Sequence, residues 1–344
     1  MGKDSVVYLS PFSLYRSLKQ DGCIVNIKTN FYHVEIQKLI LIGIIVTIMI
    51  VLSILSPNFF TARNFTNVLL QVAVIIIIAS AANLLMITGN LDLSVGSILA
   101  FSGIMHAYMS KHGIPIGWSI IITCALGMLL GSVNGLTVGV LKINPVIATL
   151  GMQYSARGLA FLVARWDGGA NITTGLPMEF VNFGRKLIVG KIPLAIVLML
   201  IVVAIFIFIE KKTVLGRFSY AIGGNRNAAE LSGIHVVGIL STLYMLVGLL
   251  ASMCGVLQAS RVGLAAPNVG RDLEFDVIIA IVLGGTSMLG GEGSTFGMIL
   301  GALIVGLAGN GLNLLGVPFF YQTLARGLLV IGAVLIDQKI RRRA

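Results

Sequence analysis

Four charged side chains stand inside otherwise apolar stretches of this sequence: Asp92, Arg157, Asp276 and Arg326. A charge at membrane depth is expensive and persists by facing protein or water, so each marks either a polar pathway or a buried pairing. Arg157 and Arg326 also lie near enough to helix ends to snorkel. Asp92 has the type and place of a cap for a helix starting at Leu93. Asn83, Ser94, Gln153, Asn310 and Asn313 carry hydroxyl and amide groups into the same apolar setting. They could line a solute path or join neighbouring helices by hydrogen bonds.

Nothing here suits covalent or metal chemistry. His33, His106, His112 and His235 are scattered singly, and Cys23, Cys124 and Cys254 have neither metal spacing nor a disulfide framework. The G-x-x-x-x-G-K-[ST] phosphate loop, H-E-x-x-H and G-x-S-x-G are all missing. The chain is therefore expected not to be an enzyme, and to carry no cofactor or metal of its own.

A third group of residues lies in the polar insert 211–236. Gly223-Gly224 ends one element, and Asn227-Ala228-Ala229-Glu230 reads as a capping box. In it Asn227 caps the helix and Glu230 reaches back from the third helical position. Gly233 supplies the stop. The spacing predicts a surface helix of one to two turns, either a docking element or a plain loop with a turn.

The elements that hold these residues follow from composition. Of 344 residues, 57% are hydrophobic and 11% charged, with a mean hydropathy of +0.98. A soluble chain carries about a quarter charged residues; this balance belongs in lipid. A spanning helix needs about 20 residues. That ruler finds about ten spans, near 39–55, 67–88, 94–110, 117–141, 145–163, 193–210, 237–259, 275–289, 295–315 and 319–337.

An all-α integral membrane protein results, with a tail at 1–38, a transmembrane body at 39–337 and a basic tail at 338–344. With both termini inside, fourteen Lys and Arg fall on inside segments and eight on outside ones. The Arg341-Arg342-Arg343 tail anchors that orientation, and places 211–236 in the cytoplasm. The same distribution accounts for the net charge of +11 without any basic domain to grip nucleic acid.

Two stretches interrupt the helical pattern, near 88–96 and 284–294, where Gly, Asn, Asp and Ser cluster. Paired interruptions point to a transport pathway, or are tight turns at the membrane surface. Gly127, Gly131, Gly135 and Gly139 line one helix face, as do Ala251, Gly255 and Ala259. Small residues let backbones approach where lipid supplies no hydrophobic drive.

Several of these stretches together resemble the permease subunits of bacterial ABC importers for ribose, xylose, arabinose and galactose. The similar text includes Ser56-Pro57-Asn58-Phe59-Phe60-Thr61, Leu91-Asp92-Leu93-Ser94-Val95-Gly96-Ser97 and Pro145 through Leu150. It continues with Leu273-Glu274-Phe275-Asp276 and Leu283-Gly284-Gly285-Thr286-Ser287, through Gly290 to Ser294 and Asn310 to Val317. Asn90-Leu91-Asp92 departs from the family's usual Gly-Ile-Asp.

The resemblance spans roughly residues 40–337. It implies a multi-pass inner-membrane subunit working by alternating access, moving a monosaccharide or a related small solute such as an autoinducer, polyol or nucleoside. It implies a second permease, identical or paralogous, and a periplasmic substrate-binding protein. A cytoplasmic ATPase with two nucleotide-binding halves would bind and hydrolyse ATP with Mg. Gly223, Gly224, Asn225, Asn227, Ala228, Ala229, Glu230, Leu231, Ser232 and Gly233 match the family's coupling region. A secondary transporter is the rival reading; it wants a chain of midplane titratable groups, for which Asp92 and Asp276 are thin support.

Overall fold

The computed structural model describes residues 23–169, 175–188, 190 and 192–341. Most of the expected 1–38 tail, and 342–344 of the basic tail, lie outside the described residues. Helices run α1 (Cys23–Leu55), α2 (Ala62–Ile87), α3 (Val95–Lys111), α4 (Ile116–Gly139), α5 (Pro145–Trp166) and α6 (Met178–Arg185). A two-residue hairpin, β1 (Leu187–Ile188) with β2 (Ile192–Pro193), then leads into α7 (Leu194–Lys212). The chain finishes with α8 (Val214–Gly224), α9 (Arg226–Leu231), α10 (Val236–Val262), α11 (Leu273–Leu283), α12 (Thr295–Leu314) and α13 (Phe319–Arg341).

Among the described residues, seven helices are long and apolar enough to cross a bilayer: α1, α2, α4, α5, α7, α10 and α12. The expected span at 275–289 is corrected. Its helix, α11, stops at Leu283 after 11 residues, a rise of roughly 16 Å, about half a hydrocarbon core. Gly284-Gly285-Thr286-Ser287 ends the apolar run, and Gly285, Gly290 and Gly291 take positive φ, which turns the backbone away from helix. The other interruption is equally real: α2 ends at Ile87 and α3 starts only at Val95.

Contacts fix the helix directions. Leu41 packs with Leu300, while a side chain at Gly311 would meet Leu52, so α1 and α12 run parallel. Gln322 bonds Asn313 at 3.0 Å and Arg326 pairs with Asp276, so α13 runs back the other way. The start of α1 and the end of α13 therefore point to the face that carries α8 and α9.

The centre is built on small residues. A Cβ on Gly127, Gly131 or Gly135 would strike α10 at Ser252, Tyr244 or Ser241, so the glycine face of α4 is a backbone-to-backbone seam. The Gly255–Ala259 face of α10 meets Gly103 of α3 instead. Both stripes are spent on tight packing inside the chain.

Candidate functional site

The two helix breaks come together. The Gly291 amide donates to the Ile87 carbonyl at 2.8 Å, an orphan acceptor at the end of α2. Thr286 Oγ1 donates to Asn83 Oδ1 at 2.6 Å, so Asn83 joins α2 to the second break. Gly223, at the end of α8, closes this junction: a Cβ there would overlap the Ile87 carbonyl and the Gly291 amide.

Two residues that no sequence motif marks complete the junction. Tyr220 donates its hydroxyl to the Gly293 carbonyl at 2.7 Å, and Glu210 accepts from the Thr295 amide at 2.7 Å. Glu210 thereby places a carboxylate at the N-terminus of α12, where the helix dipole favours it. Burial, then the Glu210 charge and hydrogen bond, pushes the Tyr220 phenol above its ordinary range, so it stays a donor. The available signal for Tyr220 is a hydroxyl-bearing aromatic one turn before Gly224.

The next segment forms α9, but its cap is not Asn227. Asn225 takes extended backbone at φ −159° and ψ 103°, and its Oδ1 accepts from the Ala228 amide at 3.0 Å. Asn227 is exposed on the helix. Glu230 does not reach back to a cap either; it pairs with Arg226 at 3.2 Å, an exposed i,i+4 contact worth little. The stop falls where expected. Gly233 has φ 83° and donates to the Glu230 carbonyl, while Ile234 donates to that of Ala229, a Schellman motif. Ser232 adds a hydroxyl bond to the Ala228 carbonyl at 2.8 Å.

Ala229 is buried, while Asn227, Ala228 and Glu230 face out. Leu231 is 90% exposed, and Leu289, at the tip of the second break, 67%. A groove of about 230 Å³ separates α9 from the α4–α5 turn, with Asn90, Lys142 and Asn144 on one wall and Arg226 and Glu230 on the other.

Asp92 caps no helix at Leu93. α3 begins two residues later behind Ser94, whose side chain makes no cap bond. Asp92 Oδ1 instead accepts from the Ser94 amide at 2.8 Å and hydroxyl at 2.6 Å. Asn134 of α4 donates to Ser94 Oγ at 2.9 Å, and Tyr244 of α10 donates to the Leu91 carbonyl at 3.1 Å. The non-helical backbone is thus satisfied by protein, as the membrane requires.

Gln153 donates to Glu274 Oε1 at 2.7 Å. Arg157 donates to the carbonyls of Val269 and Pro267. Together they bind α5 to the start of α11. Asn310 exchanges amide bonds with Asn64 at 2.9 and 3.2 Å, and Asn313 accepts from Gln322. Among the described residues no group of three or more His, Cys, Asp or Glu is placed to hold a metal ion.

The profile of the family described as "Branched-chain amino acid transport system / permease component" matches residues 64–336. The chain belongs to this permease family. It is a multi-pass membrane transport component. Among its relatives, the ribose import permease protein RbsC of Bacillus subtilis is 41% identical over 292 residues, covering 85% of this chain and 90% of that one. The D-allose transport system permease protein AlsC of Escherichia coli is 35% identical, with 87% and 91% covered. The fructose import permease protein FrcC of Rhizobium meliloti is also 35% identical, with 92% and 89% covered. No solved structure gave a significant match.

Proposed function

We propose that this permease is the membrane subunit of an ATP-binding cassette importer that carries a monosaccharide or a closely related small solute inward. The family and the sugar-importing relatives support the class. One structural observation carries the mechanism: α9 stands exposed at one face, and the helix leading into it is wedged, through Gly223, against both helix breaks.

A cytoplasmic ATPase gripping α9 would pull on Ile87 and on the 284–294 segment together, because one hydrogen bond and one glycine contact join them. ATP and Mg belong to that partner. A binding protein delivers solute to the opposite face, and a second permease completes the path. Alternating access needs the ATPase to hold α9 differently in its two states, since a partner binding both equally shifts nothing.

The test is reconstitution. The permease with its ATPase and binding protein should accumulate solute in vesicles only with ATP. Accumulation that follows a proton gradient and ignores ATP would refute the reading.

A further inference from the structure

α10 leaves the α9 face at Val236 and ends at Val262. The chain then returns through 263–272 without a helix, and α11 carries it back to the junction of the two breaks. α11 is thus a rod of roughly 16 Å. The Gly223–Ile87–Gly291 contact lies beyond one end, and the returning segment at the other.

The flank and the start of this rod are held differently. Toward α12 the contact is backbone on backbone: a Cβ on Gly301 would overlap the Ala280 carbonyl oxygen, and one on Gly297 that of Gly284. A seam without interlocking side chains permits the small sliding shifts by which packed helices shear. At its start α11 is gripped by side chains. Glu274 and Asp276, two residues apart, stand on opposite sides of the helix. Glu274 Oε1 accepts from Gln153 of α5 at 2.7 Å, and Asp276 pairs with Arg326 of α13 at 3.3 Å. Arg157, one turn beyond Gln153, donates to the carbonyls of Pro267 and Val269 in the returning segment.

Glu274 is only half satisfied. Its side chain is buried, and among the described residues Oε2 has no hydrogen-bond partner. That oxygen and the Gly270 carbonyl crowd the spot that a Cβ on Gly96 would fill. A buried carboxylate bonded through one oxygen alone is a costly arrangement. It grips as a catch that can be released.

We propose that Gln153 and Glu274 form the catch that sets the resting position of α11, and that α11 transmits the movement of α9 to the 263–272 segment. Both are positioning residues, acting on translocation through α11. The inference rests on the proposed importer function and adds the route by which its motor reaches the far side of the chain.

The first test follows the rod itself. In vesicles holding permease, ATPase and binding protein, Asn268→Cys, exposed in the returning segment, is labelled with a membrane-impermeant thiol reagent, the unsubstituted chain serving as blank. The labelling rate should differ at least about fivefold between the nucleotide-free complex and the complex held with ATP and vanadate. With Gly223→Ala added, the difference should shrink below about twofold. A difference of the same size in both, or none in a complex that takes up solute with ATP, would overturn the transmission.

The second test addresses the catch. Gln153→Glu sets two carboxylates against each other, and Gln153→Glu with Glu274→Gln restores an amide–carboxylate pair in reverse. The single variant should raise ATP hydrolysis without the binding protein at least about fivefold. The pair should return it to within about twofold of the unsubstituted complex. Loss of packing alone would lower yield and melting without raising hydrolysis; that result, or failure of the pair to restore, would overturn the catch. Uptake of labelled ribose, allose and fructose by the unsubstituted complex is read alongside. Should none enter with ATP, the importer reading falls, and this inference with it.

Discussion

The Gly291 amide donates to the Ile87 carbonyl at 2.8 Å, so the end of one interrupted helix is hydrogen-bonded to the turn that precedes the other. Gly223 lies against that bond with no room for a side chain. Two helix breaks far apart in sequence thus share one contact with the segment that leads to the exposed helix α9.

Gly223→Ala must displace either the Ile87 carbonyl or the Gly291 turn. In the assembled complex, ATP hydrolysis should persist while uptake per ATP falls at least about tenfold. Gly224→Ala is the control, since a Cβ there meets nothing within 4 Å and coupling should stay normal. Equal behaviour of the two variants, read as the ratio of uptake to hydrolysis, would dissociate the junction from coupling.

Leu231 is a large apolar side chain held almost fully in water. Burying a leucine is worth about 1.5–3 kcal/mol, so Leu231→Ala should weaken capture of the ATPase roughly 10- to 100-fold, with no change in the melting of the permease alone. A pull-down titration reads this directly. Undiminished capture would show that α9 is not an anchor.

Asn225→Ala removes the side-chain cap of α9 and should cost about 1 kcal/mol of local stability. Asn227→Ala removes no cap bond and should cost little. Hydrogen exchange over 226–233 separates them: faster exchange in the first variant only. The reverse order would restore the capping box read from sequence.

Tyr220→Phe deletes the donor to Gly293 and should lower stability by about 1 kcal/mol. Because the phenol titrates above its ordinary range in the fold, its contribution is full below the unfolded value near pH 10 and is lost as pH rises past it. The gap between wild-type and Tyr220→Phe melting temperatures should be flat from pH 6 to about 9 and narrow above about 10. A gap that closes between pH 6 and 8 would contradict the assigned donor.

Much of this is legible in the sequence because lipid allows few solutions. Apolar runs must be helices, and clusters such as Gly290-Gly291-Glu292-Gly293 cannot continue one. Hydropathy averaged over a span-length window carries α11 on to Met288-Leu289, whereas the helix ends where Gly284-Gly285-Thr286-Ser287 interrupts the apolar run. Asn225 and Asn227 are chemically equal as caps; the extended backbone at Asn225, forced by the turn out of α8, makes the choice. Gln153 and Asn310 stand out in the sequence as polar groups at depth, but their partners Glu274 and Asn64 lie 121 and 246 positions away. No local pattern encodes such pairings.

The central claim is that this chain moves solute only when a soluble ATPase grips its inner face. Uptake into vesicles by the purified permease and binding protein, with and without the ATPase and ATP, tests it most directly. Accumulation against a gradient should occur only with both present. Uphill accumulation by the permease without the ATPase would contradict the account.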